Sequence, residues 1–233
     1  MRELKILAVV LAFTLVTYWG VEPFAHSQMH PKVAPADFEF TDLKEKAAPV
    51  EALEGNAQSG QALVTANCTA CHSIESQGYP QLMDNEASAA AYGVVPPDLG
   101  TAGKIYNERY LAAFIKNPAE ASLTSHKYVD GKMHPMPSYD WMQPQEIADM
   151  IAYLKSIAPE KMSNKEVFAD SCQRCHGIKY ADMLNGTMGS YTPKEDIKKY
   201  MGKNAPDLSQ MIRSKGHHYL ETFINNPQKH LEG

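Results

Sequence analysis

All four cysteines of the chain fall into two copies of one pattern, Cys68-Thr69-Ala70-Cys71-His72 and Cys172-Gln173-Arg174-Cys175-His176. The C-x-x-C-H spacing is that of covalent c-type haem attachment. Two residues between the thiols, on a helical turn, let both sulfurs reach neighbouring vinyl groups of one porphyrin. The next residue then projects its imidazole at the iron as the proximal ligand. Cys68, Cys71, Cys172 and Cys175 are therefore the expected attachment points of two covalently bound haem c groups, with His72 and His176 as axial ligands. Two rival chemistries use the same cysteines. A zinc ribbon would bring its pairs far closer in sequence, and a thioredoxin-like dithiol would sit near a strand–helix–strand pattern that this sequence does not show. Neither rival explains the histidine after each pair.

The elements that must position these residues follow from the rest of the sequence. The chain has 233 residues, 44% of them hydrophobic and 21% charged, which is ordinary globular composition. A formal net charge of -5 argues against nucleic acid as a partner. Ile6 to Val21 form an almost uninterrupted apolar run behind Arg2 and Lys5, the mark of a signal peptide or a signal anchor. The run is short against the roughly 20 residues of a full span, and Ala25-His26-Ser27 could be cleaved. Its length beyond a usual signal core, and Tyr18 and Trp19 at its end, favour a retained transmembrane anchor over residues 1–27. Residues 28–54, rich in Ala, Pro and charge, read as a tether, of which Phe40 to Ala47 could instead form a short helix on the domain.

An internal repeat sets the architecture. Tyr110 to Pro118 recurs as Tyr219 to Pro227, identical at six of nine positions. Pro97-Asp98-Leu99 recurs as Pro206-Asp207-Leu208. Asn56 and Asn107 are candidate helix caps, and Ile147, Met150, Ile151 and Leu154 make an i, i+3, i+4, i+7 face after Pro144. Ser163 and Glu166 form a capping box before Val167 and Phe168. With no strong strand alternation, the expectation is an all-α protein of two tandem domains, residues 55–158 and 159–233.

Both copies resemble class I cytochrome c domains: an entry helix, the haem motif, a Pro-x-Leu segment, a middle helix, a Met loop and a closing helix. The resemblance implies that the Pro97 carbonyl accepts the imidazole N–H of His72, and that Pro206 does the same for His176. It implies that Leu99 and Leu208 pack on the haem. It also implies a thioether ligand from Met133-His134-Pro135-Met136-Pro137, where Met-Pro before the last helix favours Met136, with Met133 and His134 as alternatives. The second copy departs from the pattern: the counterparts of the Met loop and closing helix would lie beyond Gly233. The expectation is a carboxy-terminally incomplete second domain, or else ligation by His217, His218 or His230.

A His/Met haem has no open coordination site, so such a domain passes electrons and is not itself an enzyme. The layout resembles c4-like dihaem cytochromes, and with its anchor most resembles the dihaem cytochrome c1 subunit of bacterial quinol–cytochrome c reductases. That implies placement on the periplasmic side of the bacterial inner membrane, within a complex containing cytochrome b. Electrons would come from a Rieske iron–sulfur protein and pass to a soluble cytochrome c or a terminal oxidase. Two alternatives stay open: the dihaem subunit of a cbb3-type oxidase, and a dihaem peroxidase or thiosulfate dehydrogenase.

Overall fold

The computed structural model describes residues 2–29, 34–183, 191–227 and 229. Among these residues the regular structure is helical, with two isolated β-bridges. The chain divides into two compact units. Residues Asp37–Ser209 form one; residues before Asp37 and after Ser209 form the other.

In the second of these units, α1 (Arg2–Met29) is long and apolar enough to cross a membrane, and none of its apolar window is buried. At 1.5 Å per residue it reaches about 42 Å. A helix apolar on every side and exposed along its apolar window suits lipid, as an anchor or as an export signal. Thr17–Val21 widen into a π-helical turn, in which the Glu22 N–H donates to Thr17 O. Pro23 explains the widening: its ring crowds the preceding turn, and it offers no N–H to continue the regular pattern. Ala25-His26-Ser27 lies within the last turns of this helix.

The Asp37–Ser209 unit contains α2 (Lys44–Glu51), α3 (Ala57–Asn67), α4 (Asn85–Tyr92), α5 (Ala102–Ile105), α6 (Glu108–Lys116), α7 (Pro118–Ala121), α8 (Pro144–Ile157), α9 (Asn164–Ser171) and α10 (Lys194–Met201). After Ser209 come α11 (Met211–Lys215) and α12 (His217–Asn225). The expected caps form: Asn56 accepts from Ser59 N–H, Asn107 from Arg109 and Tyr110 N–H, and Ser163 and Glu166 close their box. Ile147, Met150, Ile151 and Leu154 are all buried along α8.

The core is built on the crossing of α3 and α8. Small residues allow it: a Cβ on Gly60 would stand 1.9 Å from the Asp149 carbonyl oxygen, and one on Gly55 2.2 Å from that of Ala148. Backbones this close bring Val64 and the apolar face of α8 into one cluster with Leu111 and Ile115 of α6. Asp149, buried in the crossing, accepts the Asn56 N–H at 2.7 Å and so ties the start of α3 to α8.

Packing extends across two of the boundaries read from the sequence. Residues 28–54 are not tether throughout: Leu43, Ala47 and Val50 are buried, and α2 packs on α6. Arg109 fastens it, donating to Glu51 at 2.8 Å and to the Glu39 carbonyl at 2.7 Å. Three apolar residues at helical spacing suffice here because α6 supplies the opposing surface. Nor is 158/159 a boundary between compact units, because the second haem motif packs within the Asp37–Ser209 unit. Val95 N–H donates to Thr192 Oγ1 at 3.0 Å, Arg174 donates to Val95 O, and Tyr128 and Tyr200 share a hydrogen bond at 3.0 Å.

Candidate cofactor site

The first motif sits where α3 ends. Cys68 N–H makes the last helical bond, to Val64 O, and then Cys71 and His72 N–H both turn back onto Cys68 O, at 3.1 and 2.8 Å. That turn brings Cys68, Cys71 and His72 to the wall of one cavity of about 420 Å³. His72 Nδ1 lies 2.7 Å from the Pro97 carbonyl oxygen. Since a carbonyl only accepts, Nδ1 carries the proton, which leaves Nε2 with the lone pair that a metal needs. Burial, foremost, holds His72 below its ordinary pKa; the Pro97 bond opposes this, the Arg174 charge reinforces it, and Asp98 opposes it. The downward shift favours the neutral ring, the form that ligates.

The Pro97 strap is itself held. Leu99 N–H donates to Ser73 O at 2.9 Å, and the Asp98 carboxylate accepts from Glu75 N–H at 3.0 Å and Gly100 N–H at 2.7 Å. Leu99 lines the cavity together with Leu111, Phe114, Ile115 and Leu154.

Met136 lines the same cavity, whereas Met133 is 88% exposed and does not. His134 also lines it, but its Nδ1 is engaged with the Met136 backbone, 3.1 Å from the N–H and 3.0 Å from the carbonyl. Phe114 and Tyr128 meet its ring edge-on. His134 thus braces the loop that presents Met136. Tyr139 closes the loop onto α3, its hydroxyl donating to Asn67 O at 2.8 Å, one residue before Cys68.

This donor set fits a covalently held haem. The cysteines are free thiols, and Cys68 and Cys71, with Cys175 of the second motif, lie on the wall of an apolar cavity with an imidazole and a thioether. Burial, with the neighbouring Cys71, pushes Cys68 up to about 12, and burial also raises Cys172. A redox dithiol requires the opposite shift. Among the described residues no cluster of His, Cys, Asp and Glu suits a bare metal ion.

The second motif repeats the first bond by bond. Cys175 and His176 N–H turn back onto Cys172 O at 3.1 and 2.8 Å, and Leu208 N–H donates to Gly177 O at 2.8 Å. His176 Nδ1 lies 2.8 Å from Pro206 O. Asp207 accepts from Lys179 and Ser209 N–H, as Asp98 does from Glu75 and Gly100. Even the small bridges correspond, Ile74 with Tyr79 and Ile178 with Met183. Of the residues considered as ligands opposite His176, His217 and His218 open α12 in the other unit, and His217 stands beside Glu221 at 3.8 Å. His230 lies outside the described residues.

Comparison with known proteins agrees with this geometry. The family model described as "Cytochrome c" matches residues 57–158. A protein named "Cytochrome c" from Tetrahymena pyriformis is 30% identical over 123 residues, which cover 48% of this chain and 98% of that protein. The chain belongs to the cytochrome c family. A "Cytochrome c-553-like" protein of Synechocystis sp. is 28% identical over 125 residues, covering 54% of this chain and 91% of that one. No solved structure matches. Membership implies covalent haem c and electron transfer rather than turnover of a substrate.

The structure adds residues that sequence reasoning did not single out. Asp98 and Asp207 stand inside the recurring Pro-Asp-Leu, so the repeat itself carried their signal. Tyr139 and Arg174 act across 72 and 79 residues of chain, and no local pattern marks them.

Proposed function

We propose that the chain is a membrane-anchored dihaem cytochrome c that carries electrons in a respiratory chain. The observation that carries the dihaem reading is the second C-x-x-C-H turn, which reproduces the first, including the carbonyl hold on its histidine. In the first crevice, Cys68 and Cys71 would fix the porphyrin, His72 and Met136 would fill both axial positions, and Pro97 would orient the imidazole. Cys172, Cys175, His176 and Pro206 would take the same roles in the second, with Leu99 and Leu208 packing on their respective haems. When bound, haem supplies a one-electron iron couple whose potential a thioether ligand raises. The chain's own contribution is to exclude water with Leu111, Phe114 and Ile115, to keep His72 neutral, and to hold the two crevices together.

Within the respiratory chain the layout suits the cytochrome c1 subunit of a quinol–cytochrome c reductase. An amino-terminal helix apolar on all sides would hold the haem domains against the periplasmic face of the inner membrane, beside cytochrome b. There the chain would receive electrons from a Rieske iron–sulfur protein and deliver them to a soluble cytochrome c or a terminal oxidase. Copurification of a Rieske centre with the chain from membranes supports this role; copurification with high-spin haem and copper would replace it with the cbb3-type one.

The attachment chemistry has its own test. Cys71→Ala and Cys175→Ala should each leave a haem held by one thioether. Cys172→Ala/Cys175→Ala together should halve the covalent haem measured by pyridine haemochrome and intact mass. An unchanged haem content in that double variant would remove the second site.

A further inference from the structure

The second haem motif sends the Arg174 side chain into the wall of the first crevice. Arg174, between Cys172 and Cys175, donates from Nη2 to the Val95 carbonyl at 2.5 Å, and Thr192 Oγ1 accepts the Val95 N–H at 3.0 Å. Both peptide groups of Val95, a fully buried residue, are thus held by the second copy. Val95 lies two residues before Pro97, whose carbonyl holds His72. Arg174 lines the cavity alongside Cys71 and His72, and its Nε is buried without a hydrogen-bond partner. Among the described residues, no carboxylate stands within ion-pair distance of Arg174.

We propose that Arg174 is a positioning residue that raises the reduction potential of the first site. It does so by clamping the Val95–Pro97 strap behind His72 and by fixing a positive charge at the crevice wall. A fixed cation disfavours the oxidised, more positive state of an iron centre. For a partly buried charge at an effective dielectric near 20, Coulomb's law makes this worth roughly three- to tenfold in the reduced-to-oxidised ratio. The contact also links the copies: the motif that would hold one haem sets the potential of the other. The inference rests on the reading of the first crevice as a His/Met haem site.

The test is a spectroscopic redox titration of the full chain with both haems attached, following the sulfur-to-iron band that only a Met-ligated iron gives. At the ambient potential that half-reduces the first site of the parent, Arg174→Gln should lower the reduced-to-oxidised ratio roughly three- to tenfold. Arg174→Lys, which keeps the charge, should stay near the parent. Gln at the parent ratio, or Gln and Lys displaced equally, would overturn the proposal. Ser171→Asp adds a carboxylate at the exposed rim of the same cavity and leaves Arg174 in place. It should shift the ratio in the same direction as Gln, and an unshifted ratio would count against the proposal even where neutral variants at 174 do not mature. Absence of the sulfur-to-iron band in the parent would instead overturn the reading of the crevice.

Discussion

Met136→Ala should abolish the sulfur-to-iron absorption band near the red edge of the visible spectrum and open the first iron to carbon monoxide. Met136 and Met133 stand three residues apart, but only Met136 lines the cavity that His72 also lines, while Met133 is 88% exposed. His134 shares that wall, but its Nδ1 is spent on the Met136 backbone. Met136→His should keep the iron low-spin and lower its potential, because imidazole donates more strongly than a thioether. The shift should be on the order of 0.1–0.3 V, within the roughly 0.8 V that axial ligands span. Met133→Ala should leave band and potential alone. A band that survives Met136→Ala would move the assignment to another residue of the loop.

Gly60→Ala should cost about 3 kcal/mol of stability or more, at the upper end of what overpacking costs. The added Cβ would stand 1.9 Å from the Asp149 carbonyl oxygen and 2.5 Å from its carbon. Both are backbone atoms of α8, so the clash cannot be relieved by a side chain turning aside. The α3–α8 crossing would have to open, and with it the cluster of Val64, Ile147 and Ile151. Ala gains only about 1 kcal/mol over Gly in helix propensity, too little to offset this. Against a total stability of about 5–15 kcal/mol for a typical domain, the loss is large. Gly20→Ala in α1 is the control, since its Cβ meets nothing within 4 Å. Chemical denaturation of the purified protein reads both; equal midpoints for parent and Gly60→Ala would contradict the packing described.

Local chemistry was legible in the sequence, and long-range packing was not. The C-x-x-C-H turns, the Asn107 cap and the Ser163–Glu166 box depend on neighbours a few residues away, so spacing alone announces them. The Pro97 and Pro206 contacts needed family resemblance, because 25 and 30 residues separate each proline from its histidine. The helix Lys44–Glu51 escaped a firm assignment because its burial rests on few residues, including Ala47 and Val50, and on a partner helix far along the chain. Its Pro49 and charged residues dilute any apolar period. The clamp from Arg174 to Val95 joins the two copies through a backbone carbonyl, which every residue carries and no sequence pattern reveals. The division at Ser209, within the second copy, likewise reflects packing rather than repeat length.

The most direct measurement is the number of haems covalently bound per chain after export and maturation, read by intact mass together with pyridine haemochrome. Two haems per polypeptide are predicted, one lost with Cys68 and Cys71 and the other with Cys172 and Cys175. A mature chain carrying one haem, or the mass of the bare polypeptide, would contradict the dihaem reading.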